Sequence, residues 1–284
     1  MSFKSLVNRI DTLPALSYSA QKILAMYAQE DDSDVDVRKL TRLIQEDTLL
    51  TANILGMIND PKLGFNNKIT AVGQAVTLFG SRIMKGFIIS FVMKQRLQAD
   101  MGAYGISNAR FNDMCHLQSA LLYQWYMKID MNRAKTLVPL ALIMEAGKVV
   151  FAAEMNESDY VDIFKEEILS AENMEEIEHR YSDTSSYYIG GLLFEHWNFS
   201  QYYSDLMKSL DFDNEDVKVD QLDLDILDVV RTAINVKGFL DKENMAKAQA
   251  LVKSLGLDEV SFMHAALRIK NAYEEALRAK VEKL

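Results

Sequence analysis

Apolar residues recur along this chain at intervals of three and four, the spacing that lines one face of an α-helix, and no segment carries a convincing strand pattern. Ile23, Leu24 and Tyr27 share one side of a helix expected over 19–29, after the helix-delaying Leu13-Pro14-Ala15. Val37, Leu40, Leu43 and Ile44 form the next stripe, opened by the acidic stretch 31–36, whose charge complements a helix N-terminus. Asp47 is placed to cap a helix carrying Leu50, Ile54, Leu55 and Ile58, which stops at Asn59-Asp60-Pro61. A loop over 62–68 leads to a helix through Val72, Ala75, Val76 and Phe79. Gly80 ends it, and Ser81 opens a long apolar helix to Leu97.

The segment 98–107, with Gly102 and Gly105, is the best internal boundary. Beyond it the pattern predicts a helix over 111–128 and a very apolar one over 138–155 with Pro139 in its first turn. Shorter helices follow at 159–170, 174–180 and 185–196, and another begins near Gln201. The stretch 211–228 is acidic, and two last helices cover 244–255 and 259–283. The expectation is an all-α protein of thirteen or so helices without a fixed-period repeat.

Composition sharpens this picture. Three Pro and 12 Gly in 284 residues suit helices joined by short loops better than a turn-rich β architecture. One cysteine, Cys115, excludes an internal disulfide framework and a multi-thiolate zinc site, and fits a reducing compartment. The net charge of −10 opposes binding to DNA or anionic lipid. The apolar windows 86–93 and 137–151 are short, and the second carries Glu145 and Lys148, so no membrane insertion is expected. The N-terminus lacks the apolar core of a signal peptide, and a cytoplasmic location is expected.

Catalytic motifs are sparse. Only His116, His179, His196 and His264 offer imidazole, and none lies in a Gly-flanked nucleophile turn. Cys115 neighbours His116 in sequence, but adjacent helical residues point about 100° apart, so a buried structural thiol is favoured over a nucleophile. The run 211–216 resembles the start of a calcium loop, yet Asp216 stands where Gly is needed and Leu222 where a bidentate carboxylate is needed. Tyr187, Tyr188, Trp197, Tyr202 and Tyr203 read as core packing before they read as a pocket lining.

Leu13-Pro14-Ala15-Leu16 resembles the opening of the HDOD domain, a bacterial regulatory relative of the HD phosphohydrolases. The stretch from Ile44 to Leu55 is similar to that family's I-x-x-D-P-x-L-T-x-x-L-L pattern through Asp47, Leu50 and Thr51, with Thr48 where Pro is usual. Asn59, Gly64, Ile69-Thr70 and the run from Gln74 to Gly80 look like its next motif, with Asp60 and Ala71 in place of the usual Ser. Gly190-Gly191-Leu192-Leu193 and Trp197 look like its G-x-L-L-x-x-W segment. The resemblance covers roughly residues 5–210.

It implies an HD-domain/phosphodiesterase-like multi-helix bundle: an N-terminal helical lobe over 1–97, an HD-like lobe over 107–210, and a helical extension over 211–284 packed on the second lobe. Asn59, Gly64 and Gln74 are expected to serve structure in the first lobe. HD relatives hold divalent metals with His and Asp ligands. By order, His116 falls at the first ligand, Met144-Glu145 at the His-Asp pair, and Ser186 at a later His. One imidazole and one displaced carboxylate make no hydrolytic metal centre, so neither catalytic residues nor a metal or other cofactor are expected. If these positions keep an ancestral site, His116, Glu145 and Ser186 should converge on one cleft, although Glu145 is equally placed to pair with Lys148. The resemblance thus points to a non-catalytic regulatory or scaffold protein of bacterial signal transduction. Its partner would be a protein or a small signalling ligand; the alternative is a divergent metal-dependent phosphohydrolase.

Overall fold

The computed structural model of the chain describes residues 1–14, 16, 18–29, 35–63, 68–211 and 219–282. Gly64 therefore lies outside the described residues, as does most of the run that resembles a calcium loop. Helices α1 (Phe3–Asp11), α2 (Tyr18–Gln29), α3 (Val37–Gln45), α4 (Thr48–Ile58) and α5 (Val72–Arg96) come first. After a 3-10 turn at Met101–Tyr104 follow α6 (Asn108–Tyr126), α7 (Met131–Ile143), α8 (Ala146–Met155), α9 (Val161–Ser170) and α10 (Met174–Ser182). The chain then forms α11 (Ser186–His196), α12 (Gln201–Ser209), α13 (Gln221–Ala233), α14 (Lys242–Ser254) and α15 (Glu259–Val281). No β-sheet forms among the described residues; a single bridge pairs Ile234 with Phe239. The fold is all-α, as the periodicity predicts.

Side-chain chemistry sets the boundaries where the sequence places them. Asp47 Oδ1 accepts from the Leu50 N–H at 2.9 Å, capping α4, and Thr51 Oγ1 donates back to the Ile44 carbonyl at 2.8 Å. Gly80 carries φ 77°, a left-handed value at which a Cβ is unfavourable, and it bends α5 between its two apolar halves. Asn59 closes the connection from α4 to α5. Its amide donates to the carbonyls of Leu55 (2.8 Å) and Ile69 (2.7 Å), and its oxygen accepts from the Ile69 N–H (2.7 Å). Gln74 Oε1 accepts from the Thr70 N–H at 3.1 Å, ahead of the first turn of α5. Asn59→Ala is expected to cost about 2 kcal/mol in urea unfolding, because it strands the two Ile69 backbone groups together. Asn59→Asp, which keeps only the acceptor, should fall between; an unchanged midpoint in Asn59→Ala would contradict the assignment.

Two expectations need correction. The apolar stretch read as one helix over 138–155 is two, α7 and α8, broken at Met144-Glu145. Asp130 caps α7 through the Arg133 N–H at 3.0 Å, so the helix starts seven residues ahead of Val138 and Pro139 sits inside it rather than in a first turn. The acidic stretch 211–228 contains the start of α13. Among its described Asp residues, Asp220 caps the helix through the Leu222 N–H, while Asp211 and Asp223 are buried, paired with His179 and Arg133, and Ile226, Leu227, Val229 and Val230 are buried beside them.

The apolar core is one cluster running from Leu6 to Ile269. Helix α6 packs against α7, α13 and α15; α5 crosses α7; and α8 lies against α11, which in turn packs on α12. At the edges, α1 rests on α8 and α11, and α15 rests on α6 and the 3-10 turn Pro61–Leu63. Val72–Arg96 and Met131–Met155 are long and apolar enough to cross a bilayer by length and composition, beyond the shorter windows marked in the sequence. Of their most apolar windows, 72% and 83% is buried inside the fold, so their apolar surface serves the core.

Candidate functional site

The break between α7 and α8 puts Met144 and Glu145 in the interior, 0% and 2% exposed. One turn on, Lys148 (2% exposed) turns its ammonium back to Glu145 Oε2 at 2.7 Å and donates to Ser186 Oγ at 3.1 Å. Ser186 is the first residue of α11. Its position against α8 depends on Gly147, where a Cβ would overlap the Ser186 carbonyl oxygen. Lys148 also lies over the Tyr187 ring, 4.2 Å from its centroid. Burial opposes its charge, yet Glu145, Tyr187 and Glu178 together raise its pKa above the ordinary lysine value. An ammonium ion is therefore built into the centre of the site.

Other groups close the network around it. Gln118 on α6 donates to Glu145 Oε1 at 2.8 Å and to the Ile234 carbonyl at 2.9 Å. Glu178, fully buried on α10, accepts from the Tyr104 hydroxyl at 2.7 Å and from the Ser186 N–H at 2.6 Å. Its negative charge thus sits at the positive end of α11. Asp211 accepts from the Ser185 N–H at 3.2 Å and pairs with His179 Nε2 at 2.8 Å. Arg231 on α13 covers the Tyr187 ring at 4.7 Å and bridges to Glu175 and Asp228, each at 2.6 Å. Burial pushes the Glu175 carboxyl up to about 7 against the pull of Arg231.

Lys148 thus joins two of the sequence-derived positions, Glu145 and Ser186, while Met144 packs beside them. His116 does not join them. It belongs to another face of α6, where the Lys94 ammonium donates to its Nε2 at 3.1 Å. An ammonium can only donate, so this ring nitrogen is the unprotonated one. Burial first, then the charges of Lys94 and Lys62, push the imidazole down to about 3. Lys62, held by Asp113 and Asp60, and Asp113 itself complete the charged surroundings. A histidine depressed in this way lends stability above its unfolded value near 6.5, which is lost as pH falls toward 3. His116→Gln is expected to remove up to about 1.4 kcal/mol of acid sensitivity per pH unit below 6.5, read in urea unfolding at pH 7 and pH 5. Equal losses in the two proteins would show that His116 is not the source.

Cys115 is buried, and burial together with Glu145 pushes its thiol up to about 12, which suits a structural thiol rather than a nucleophile at neutral pH. Among the described residues no group of three or more His, Cys, Asp or Glu is arranged to hold a metal ion. The donor set does not fit a divalent metal: the position facing Glu145 holds a lysine cation, and the other ligand positions offer a thioether, a hydroxyl and, at His116, an imidazole turned to Lys94.

Of the remaining motif residues, Leu50 and Ile69 are buried in the core, and Trp197 closes α11 against Phe199. Gln118, Glu178 and Arg231 are absent from the sequence reading, being apart from Glu145 in the chain and outside any motif. Lys148 carries the one available signal, a cation three residues from Glu145 in an apolar run.

A cavity of about 560 Å³ opens beside this network, at the segment 98–107. Met93, Met101, Phe111, Leu142 and Ala146 line it, with Lys94 and Asp100 among its polar residues. Met144, Glu145 and Ser186 are not among its lining, so the open space lies next to the filled ligand positions rather than in them.

A model of the HDOD domain matches residues 13–211. An HDOD domain protein of unknown function from Geobacter sulfurreducens superposes with a TM-score of 0.61 at 16% identity, over 96% of this chain and 98% of that one. A protein provisionally assigned as a phosphohydrolase from Shewanella amazonensis SB2B gives 0.66 at 14% identity, over 95% and 98%. A provisionally assigned signal transduction protein from Marinobacter aquaeolei VT8 gives 0.65 at 15% identity, over 96% and 64%. At these identities the structures share the fold. A curated protein of uncharacterised role from Treponema pallidum (strain Nichols) is 26% identical over 95 residues, 34% of this chain and only 18% of that protein's length. With the family pattern matched over most of its length and the helical architecture of an HDOD protein, the chain belongs to the HDOD domain family.

Proposed function

We propose that the chain is a non-catalytic regulatory module of bacterial signal transduction, acting in the cytoplasm by binding a protein or a small signalling ligand. The observation that carries this reading is the Lys148 ammonium, bonded to Glu145 and Ser186 among the positions where an HD-type enzyme needs imidazole and carboxylate around a divalent cation. A resident ammonium claims the same carboxylate that a metal would need. The net charge of −10 argues against a nucleic-acid partner, and the burial of the apolar helices against membrane insertion.

The second reading, a divergent metal-dependent phosphohydrolase, draws on the provisional assignment of the Shewanella neighbour. Metal analysis of the purified chain and assays on cyclic nucleotides and generic phosphodiesters separate the two. The expected result is no stoichiometric manganese, iron or zinc and no turnover. Turnover lost in His116→Ala, together with bound metal, would establish the enzyme instead.

A further inference from the structure

The cavity at 98–107 has a chemistry of its own. Its floor is apolar: Met93, Met101, Phe111, Leu142, Ile143 and Ala146 are each buried, yet all border the open space. Part of its polar rim is engaged elsewhere. Asn108 is used by the Met101 N–H and the Ala99 carbonyl, and Asp100 Oδ1 accepts from the Gly102 N–H. Lys94 is different. It has no carboxylate partner within ion-pair distance among the described residues, and its contact is the neutral His116 at 3.1 Å. Its side chain is exposed at the rim, and Cys115, Asp113 and Asp60 act on it only from a distance. Asp60 and Asp113 are already committed to Lys62.

We propose that this cavity binds a small monoanionic amphiphile, an aliphatic carboxylate whose chain lies on the apolar floor and whose head pairs with Lys94. One unpaired cation above an apolar floor suits a single negative charge with an apolar body. A cyclic dinucleotide, with two phosphates, would need more than the one cation that this lining offers. The size falls within the range of small-molecule pockets, roughly 300–1,000 Å³. The proposal rests on the regulatory reading only in making such a ligand the signal.

Calorimetric titration of the full chain with decanoate, decanol and decyltrimethylammonium, each below its micelle concentration, tests it. Decanoate should bind best, and Lys94→Met should weaken it by about tenfold or more while leaving decanol unchanged. Lys94→Gln serves if the Met variant misfolds, and Ala146→Phe, which fills the floor, should weaken decanoate and decanol alike. Three head groups binding equally, decanoate indifferent to Lys94, or no binding of decanoate would each overturn the proposal. So would a cyclic dinucleotide binding more tightly than decanoate. Failure here leaves the regulatory reading standing with another ligand, whereas phosphodiester turnover would remove that reading without bearing on decanoate.

Discussion

Lys148→Met is expected to destabilise the protein by about 3–5 kcal/mol, the usual cost of removing one partner from a buried ion pair. Met fills much the same volume, so little of the loss would come from a cavity. What remains is the Glu145 carboxylate, 2% exposed, with Gln118 and Tyr187 as donors and no cation beside it. The decisive comparison is the double variant Glu145→Gln/Lys148→Met, which removes both charges and should regain most of the loss in urea unfolding. Buried pairs replaced together by neutral groups are often close to neutral overall, whereas a half-pair is not. A double variant as unstable as the single would show that packing around Lys148, rather than its charge, carries the stability.

Gly147→Ala is expected to destabilise by about 3 kcal/mol, at the upper end of overpacking costs. Local preference points the other way, since Ala is favoured over Gly inside a helix by about 1 kcal/mol. The tertiary term should win because the added Cβ overlaps backbone: the Ser186 carbonyl oxygen first, then the Gly190 nitrogen and the Ser186 carbonyl carbon. Backbone cannot rotate aside as a side chain can. Relief requires α8 and α11 to separate, which would lengthen the 3.1 Å contact from Lys148 to Ser186 and alter the near-ultraviolet signal of Tyr187. A variant with an unchanged or raised melting temperature would refute this account of the helix contact.

The parts of the molecule governed by local rules were legible in the sequence. Asp47 caps the helix that its side chain predicts, Asn59 ends it, and Gly80 interrupts the apolar run that follows. Each of these acts within about ten residues of itself. The buried network is a different matter. Gln118 reaches a carbonyl 116 residues away, and Glu178 meets Tyr104 across 74. No periodicity marks such residues, because a lone polar group on an apolar helix face looks the same whether it meets a partner or solvent. The convergence expected of His116 failed for a related reason. Position by order along a family pattern says which helix a residue occupies, but a rotation around α6 decides which neighbour it meets. The helix over 221–233 was masked by composition, since Asp223, Asp225 and Asp228 interrupt its apolar stripe, although Asp223 is itself buried against Arg133.

Arg231 and the Ile234 carbonyl enter the buried network from beyond the residues that match the family. The portable unit is consequently larger than the family match. A graft of residues 13–211 into another protein would leave one Gln118 donor bond unmade and the outer face of Tyr187 bare. Homologous exchange of this module, in the laboratory or by recombination, therefore has to carry α13 to α15 along, since α15 also packs on α6 and Phe262 packs against Trp125.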